Sequence, residues 1–365
     1  MTAGGPAVLA GPGDVTASWC TDVLARSGAL APGARVAAVT SEPIGTGQMA
    51  ETVRLHLAVD PAGAGPATVV AKFASTDATS RSTGVALDAY RIEVGIYRDV
   101  AGRLAGRVPR CHFAAGGEGE GWFTVVLDEV VGASQGEQLE GCDATRAAGA
   151  LAELAGVHAS TWESRSLGAL PWLARWGPDS ARTTAQLVAP LYPGFLERYG
   201  DRLQPEHRDL GRRFVARLEA WLGGRTGGHA VTHGDFRLDN LLFAGDDPRP
   251  WVVDWQTALW APAVGDVAYF VGGSLTTEVR RAAESDLVGG YRAALEAGGV
   301  AGGGGPGFDD DYRRAAFGGM FMAIGASMLV KRTERGDTMF TTNFTRHAQH
   351  VLDLDAEAAL PGGAR

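Results

Sequence analysis

The chain of 365 residues is long enough for two lobes with a substantial core, and 45% hydrophobic with 21% charged residues excludes a disordered or fibrous protein. A formal net charge of -9 excludes a sequence-independent grip on nucleic acid or an anionic membrane, either of which needs a basic face, and leaves a small molecule as the expected partner. Three scattered cysteines indicate neither a disulfide framework nor a zinc site, no signal peptide is evident at the start, and the uncharged run 315–330 is too short and glycine-interrupted for a membrane span, so a cytoplasmic protein is expected.

In chain order, Asp14 or Thr16 is placed to cap a helix reaching about Leu30. Residues 34–44 read as a strand, broken by Gly45-Thr46-Gly47. Beyond the break, Val53, Leu55, Leu57 and Val59 alternate with polar residues, the period of a half-buried strand. The run Gly45-Thr-Gly-Gln-Met-Ala50 matches the glycine pattern of a dinucleotide fold, but there the glycines open a helix, and here a strand follows. A glycine hairpin over ATP phosphates, using the amides of Gly45, Thr46, Gly47 and Gln48, fits better than either that fold or a plain turn.

Residues 68–73 form a third strand carrying Lys72, one of only two lysines beside 31 arginines. A compact ammonium at the end of such a strand can reach nucleotide phosphates. The next helix is expected over 83–104, with Glu93 mid-helix and able to pair with Lys72. Runs 110–115 and 122–127 complete a sheet of about five strands, and 128–132 leads away from it. From Asp143, a plausible N-cap, the pattern turns helical, with Leu151, Leu154, Ala155, His158 and Trp162 on one face and His158 read as a core histidine. Strands followed by helices make the fold α+β, divided into 1–131 and 132–365.

The sharpest stretch is Val231-Thr-His-Gly-Asp-Phe-Arg-Leu-Asp-Asn240, followed fourteen residues later by Asp254 in Trp251-Val-Val-Asp-Trp255. His233, Asp235 and Asn240 stand in an HxDxxxxN spacing, and Asn240 is one of only two asparagines in the chain. Phosphoryl transfer from a nucleotide needs this set: a carboxylate near the acceptor hydroxyl, and an amide with a second carboxylate to hold Mg²⁺. The bland alternative is a turn whose side chains bond their own backbone. Asp266 is placed to cap a following helix, Gly298 to Phe308 is a glycine-rich connection, Asp309 begins a long helix ending near Val330, and a last helix spans about 342–360.

His233-Gly-Asp-Phe-Arg-Leu-Asp-Asn240, Val253-Asp-Trp255 and Gly265-Asp-Val-Ala268 resemble the aminoglycoside phosphotransferase and choline kinase-like superfamily, most closely its ecdysteroid-kinase-like branch and bacterial members, over about 36–330. The resemblance implies a bilobal protein-kinase-like fold, with a small antiparallel-sheet N-lobe, a larger helical C-lobe, ATP and Mg²⁺. It makes Asp235 the catalytic carboxylate, Asn240 and Asp254 the metal ligands, Lys72 with Glu93 the phosphate contact, and Asp266 a brace under the catalytic loop. Arg237 occupies the place where protein kinases keep a lysine that touches the γ-phosphate. Trp255-Gln256 replaces Phe-Gly, and only eleven residues separate Asp254 from Asp266, which argues for a small hydroxylated acceptor over a protein.

Two rival readings stand beside this one. Gly132-Ala-Ser-Gln-Gly136 is a literal GxSxG, and with Asp254 or Asp266 and His347 or His350 it has the chain order of a serine hydrolase, but no helix pattern follows Ser134. The other is a nucleotide-binding protein of the same fold without transfer. Trp162, Trp172, Trp176 and Trp260 are candidates for a ring-stacking acceptor site, and the acceptor itself and the oligomeric state are left open.

Overall fold

The computed structural model describes residues 5–45, 49–175 and 177–360. The chain divides into two compact units: the described residues up to Arg103 with Val108–Val131 and Val253–Thr257, and the remainder, Leu104–Arg107, Gly132–Val252 and Ala258 onward.

The first unit is a five-stranded antiparallel sheet in the order β1-β2-β3-β5-β4, with β1 Arg35–Pro43, β2 Ala50–Asp60, β3 Thr68–Ala74, β4 Cys111–Gly116 and β5 Phe123–Asp128. Its alternation is the one the sequence sets: Val53, Leu55 and Leu57 face the core. The helix Ala17–Arg26, capped by the Thr16 side chain on the Trp19 amide, lays Cys20, Val23 and Leu24 on that apolar face. Leu55 and Phe73 are wholly buried there, each contributing about 2 kcal/mol of hydrophobic stabilisation. Lys72 stands on β3 between Thr52 of β2 and Val125 of β5, so its backbone is held from both sides.

The helix expected over 83–104 is instead four pieces: Ala78–Ala86, Ala89–Gly95, a widened turn Ile96–Val100 and a 3₁₀ turn Ala101–Arg103. Asp77 caps the first through the Ser80 amide, and Asp88, at φ +54°, breaks it from the second. Tyr90 explains the closeness of the pieces, since a Cβ at Gly84 would fall 2.3 Å from its ring.

The second unit is mainly helical. Asp143 caps Ala144–Thr161 by accepting from the Arg146 amide. A core of Tyr192, Phe195, Phe214, Trp221, Met320 and Phe344 packs the helices Tyr192–Tyr199, Pro205–Val215, Leu218–Gly223, Gly318–Leu329 and Glu334–Asp353 together. Two small antiparallel sheets complete it. His229–Thr232 pairs with Leu259–Pro262, and Leu241–Ala244 lies between Ala133–Gln135 and Trp251–Val252.

Three boundaries differ from expectation. Asp266 does not cap its helix, which runs Val264–Ser274 from Ala263; it sits in the first turn with its carboxylate aimed at another segment. The long helix from Asp309 is two, Phe308–Ala315 and Gly318–Leu329, broken before the Gly318-Gly319 pair, where helix propensity is lowest. The last helix starts earlier, at Glu334 behind a Thr333 cap, and ends at Asp353. Among the described residues no helix is long and apolar enough to cross a membrane.

Candidate active site

In the first unit, Lys72 Nζ lies 2.9 and 2.7 Å from the two oxygens of Glu93 and 2.8 Å from Oδ1 of Asp254. Burial alone would lower the lysine, but Asp254 and Glu93 overcome it and hold the ammonium above its ordinary range. Burial pushes the Glu93 carboxyl up to about 7 against the pull of Lys72. Asp254 has φ +65°, a backbone rarely adopted outside glycine, and Gln256 Nε2 lies 3.4 Å from its second oxygen. The sequence pairing of Lys72 with Glu93 is therefore met, and Asp254 joins them. Of the glycine hairpin, Gly45 has φ +79°; Thr46, Gly47 and Gln48 lie outside the described residues.

In the second unit, the loop 233–237 follows the strand His229–Thr232 and runs through a short 3₁₀ turn, Leu238–Asn240, into the strand Leu241–Ala244. Asp266 holds the loop from beneath: Oδ2 accepts from the His233 amide at 2.6 Å and Oδ1 from the Gly234 amide at 3.0 Å. Gly234, at φ +80°, lets the chain turn so that both amides point the same way. Burial would raise the Asp266 carboxyl, yet His158 and His233 hold it below its usual range. His158 is itself fully buried, bonded to Tyr291 at 2.8 Å and near Asp266 at 3.4 Å. It is thus a core histidine whose ring supports the brace.

Asp235 is held at both oxygens. Tyr269 donates to Oδ1 at 2.8 Å; Arg237 Nε and Asn240 Nδ2 donate to Oδ2 at 2.9 and 3.1 Å. Asn240 Nδ2 also reaches the Asp235 carbonyl at 2.8 Å, which commits its amide nitrogen to that residue. Arg237 continues to Asp239 at 2.6 Å, and Arg335 contacts Asp239 and Glu137 at 3.3 and 3.1 Å. Burial would lower the Arg237 guanidinium, but Asp235 holds it above its ordinary range. Gln138 fixes the same turn, donating its amide to Asp239 at 3.1 Å and accepting from Leu238 at 3.0 Å.

Tyr269, Asp239, Gln138 and Arg335 were missed in the sequence. Tyr269 had a usable signal, since it follows Asp266 by three residues and so shares its helix face. Gln138 and Arg335 had none, being brought from distant segments. Ser134 is exposed on its strand opposite Phe243, and the next helix waits until Ala144. His347 and His350 are fully buried, His350 bonded to Glu284 at 2.7 Å and His347 to the Ala316 carbonyl at 3.1 Å, so the hydrolase arrangement is not formed. Trp172 is buried and Trp162 packs against Gly228; Trp176 lies outside the described residues. Trp260 borders a small cavity of about 100 Å³ with Arg225 and His229, room for water more than for a ring.

Among the described residues no three His, Cys, Asp or Glu gather as a metal site. A cation such as Mg²⁺ needs no such cluster, since it takes one or two protein oxygens and completes its shell with phosphate and water.

The model of the phosphotransferase enzyme family matches residues 47–316. No curated protein matches the chain. Among solved structures, choline kinase from Cryptosporidium parvum Iowa II is similar at 12% identity and TM-score 0.56, over 88% of this chain and 92% of that one. Choline kinase LicA from Streptococcus pneumoniae is similar at 12% identity and TM-score 0.50, over 85% and 94%. Spectinomycin phosphotransferase APH(9)-Ia, solved with ADP and spectinomycin, is similar at 10% identity and TM-score 0.49, over 93% and 99%. The two choline kinase likenesses are to the protein-kinase-like fold, and neither speaks to the ecdysteroid-kinase-like branch.

Proposed function

We propose, from the premise that this chain belongs to the phosphotransferase enzyme family and acts on hydroxyl acceptors, that it transfers the γ-phosphoryl group of ATP to an alcohol of a small molecule in the cytoplasm. The observation that carries the reading is the state of Asp235: a carboxylate on a braced loop, oriented at both oxygens by Tyr269, Arg237 and Asn240. A carboxylate so held aligns a hydroxyl and takes its proton late in the transfer.

The step balances simply. The acceptor oxygen bonds the γ-phosphorus, the bond from that phosphorus to the β–γ bridging oxygen breaks with its electron pair leaving on ADP, and the hydroxyl proton goes to Asp235. Lys72, kept charged and aimed by Glu93, contacts the α- and β-phosphates. Gly45 with Thr46, Gly47 and Gln48 supplies amides to the phosphates. Asn240 Oδ1 and Asp254 are the oxygen donors we assign to Mg²⁺, which when bound neutralises charge on the phosphates. Arg237 reads first as an orienter of Asp235, since its guanidinium already bridges Asp235 and Asp239.

The acceptor we favour is a small metabolite or antibiotic with a free hydroxyl: an aminoglycoside, amino alcohol, sugar or sterol-like alcohol. The test is Mg·ATP consumption across a panel of such compounds, with product mass checked for one added phosphoryl group. Tight Mg·ATP binding with no phosphorylated product across the panel would favour a nucleotide-binding protein without transfer.

A further inference from the structure

The two oxygens of Asp235 are loaded unequally. Oδ2 accepts from both Arg237 and Asn240, whereas Oδ1 accepts from Tyr269. A carboxylate oxygen has two lone-pair sites, so Oδ2 is filled and Oδ1 keeps one. Whatever fixes the Tyr269 hydroxyl therefore decides which way the remaining lone pair faces.

The structure fixes it firmly. Tyr269 shares the helix Val264–Ser274 with Asp266, the residue that holds the amides of His233 and Gly234, so one helix grips the loop backbone and the carboxylate together. Its ring stacks on His347, with centroids 5.5 Å apart and planes at 29°. His347 fits behind it because Gly272, Gly273 and Gly319 leave room: a Cβ at each would come within 2.6, 2.9 and 1.9 Å of that ring. Burial, and then the charge of Asp235, raises the Tyr269 phenol well above its ordinary range, so it keeps its proton and donates it to that carboxylate. A phenylalanine would fill the same space, and the buried hydroxyl has its bond to Asp235 as its contact.

We propose that Tyr269 is a positioning residue of the transfer reaction: its hydroxyl occupies one lone pair of Asp235 Oδ1 and turns the other toward the acceptor hydroxyl. This rests on the kinase reading above. Tyr269 touches neither nucleotide nor acceptor; it acts through Asp235.

The test is Mg·ATP turnover with water as acceptor, followed as steady-state ADP release over a range of Mg·ATP concentrations, in wild type, Tyr269→Phe, Asp235→Asn and the double variant. Tyr269→Phe keeps the ring on His347 and should lower kcat about tenfold, the scale of a slightly misplaced reacting group, with KM for Mg·ATP unchanged. In the Asp235→Asn background it should cost nothing further. If Asp235→Asn collapses turnover while Tyr269→Phe matches wild type, or raises KM with kcat intact, the inference fails and the kinase reading stands. An Asp235→Asn variant that releases ADP at the wild-type rate removes Asp235 from the reaction and overturns the inference; a wild type that neither releases ADP to water nor phosphorylates any compound of the acceptor panel sinks both. Should Tyr269→Phe not fold, fluorotyrosine at position 269 keeps ring and hydroxyl while strengthening the donor; an unchanged kcat and pH profile would overturn the inference.

Discussion

Lys72 Nζ and Asp254 Oδ1 are 2.8 Å apart although 182 residues separate them in the chain. The contact couples the cation assigned to phosphates with the carboxylate assigned to metal, and Asp254 meets it from a left-handed backbone at φ +65°. Asparagine tolerates that conformation, so Asp254→Asn should fold normally while removing the charge. We expect it to weaken Mg·ATP binding at least about tenfold, in line with the loss of one metal-ligand charge, and to affect metal-free ADP much less. Calorimetric titrations with and without Mg²⁺ check this; an unchanged Mg²⁺ dependence would remove Asp254 from the metal.

Asp235→Asn should separate binding from transfer. Its amide oxygen can still accept from Arg237 and Asn240, and the Tyr269 hydroxyl can rotate to accept from its NH₂, so the loop should keep its shape. The lost negative charge and proton acceptance act on the transition state, and kcat should fall on the order of 10²-fold or more with nucleotide Kd nearly constant. Product formation near the wild-type rate would mean that another group takes the proton.

What could be read in advance follows from range along the chain. The five strands were legible because alternation is local, and Lys72 and Glu93 because scarce lysine and helical spacing are visible in a short window. The loop 233–240 was legible because its bonds close within five residues, as Asn240 on Asp235 does. By contrast, Gln138 and Arg335 reach Asp239 from 101 and 96 residues away, and only the folded chain brings them there. The Thr333 cap is local too: a threonine followed by Glu334 and Asp337 in the first turn of the helix.

Asp266→Ala should act on stability first. The aspartate is buried and satisfies two backbone amides, His233 and Gly234, that have to be held for the loop to turn. Leaving both amides unpaired should cost about 2–4 kcal/mol, read as a fall in urea midpoint with unchanged slope. Because its folded pKa is lowered, the stabilisation is present above the unfolded carboxylate range and fades as pH falls through the folded value. An Asp266→Ala variant as stable as wild type would show that the loop is held by other contacts.

His347 makes the clearest pH prediction. Burial first, and then neighbouring His350, Arg280 and Arg346, lower its imidazole from 6.5 to about 3, so it is neutral in the fold and donates from Nδ1 to the Ala316 carbonyl. Between those values the unfolded chain binds a proton that the folded chain does not, so stability is fully present above 6.5 and is lost on acidification. One such group makes the loss about 1.4 kcal/mol per pH unit. His347→Phe keeps a ring behind Tyr269 and cannot titrate. It should therefore be less stable than wild type at pH 7, through the lost bond to Ala316, yet lose stability more slowly between about pH 6 and 5, by roughly one proton in the slope. Urea unfolding at three pH values measures both. Parallel curves for the two proteins would mean that His347 titrates alike folded and unfolded, and that the wall behind Tyr269 carries charge after all.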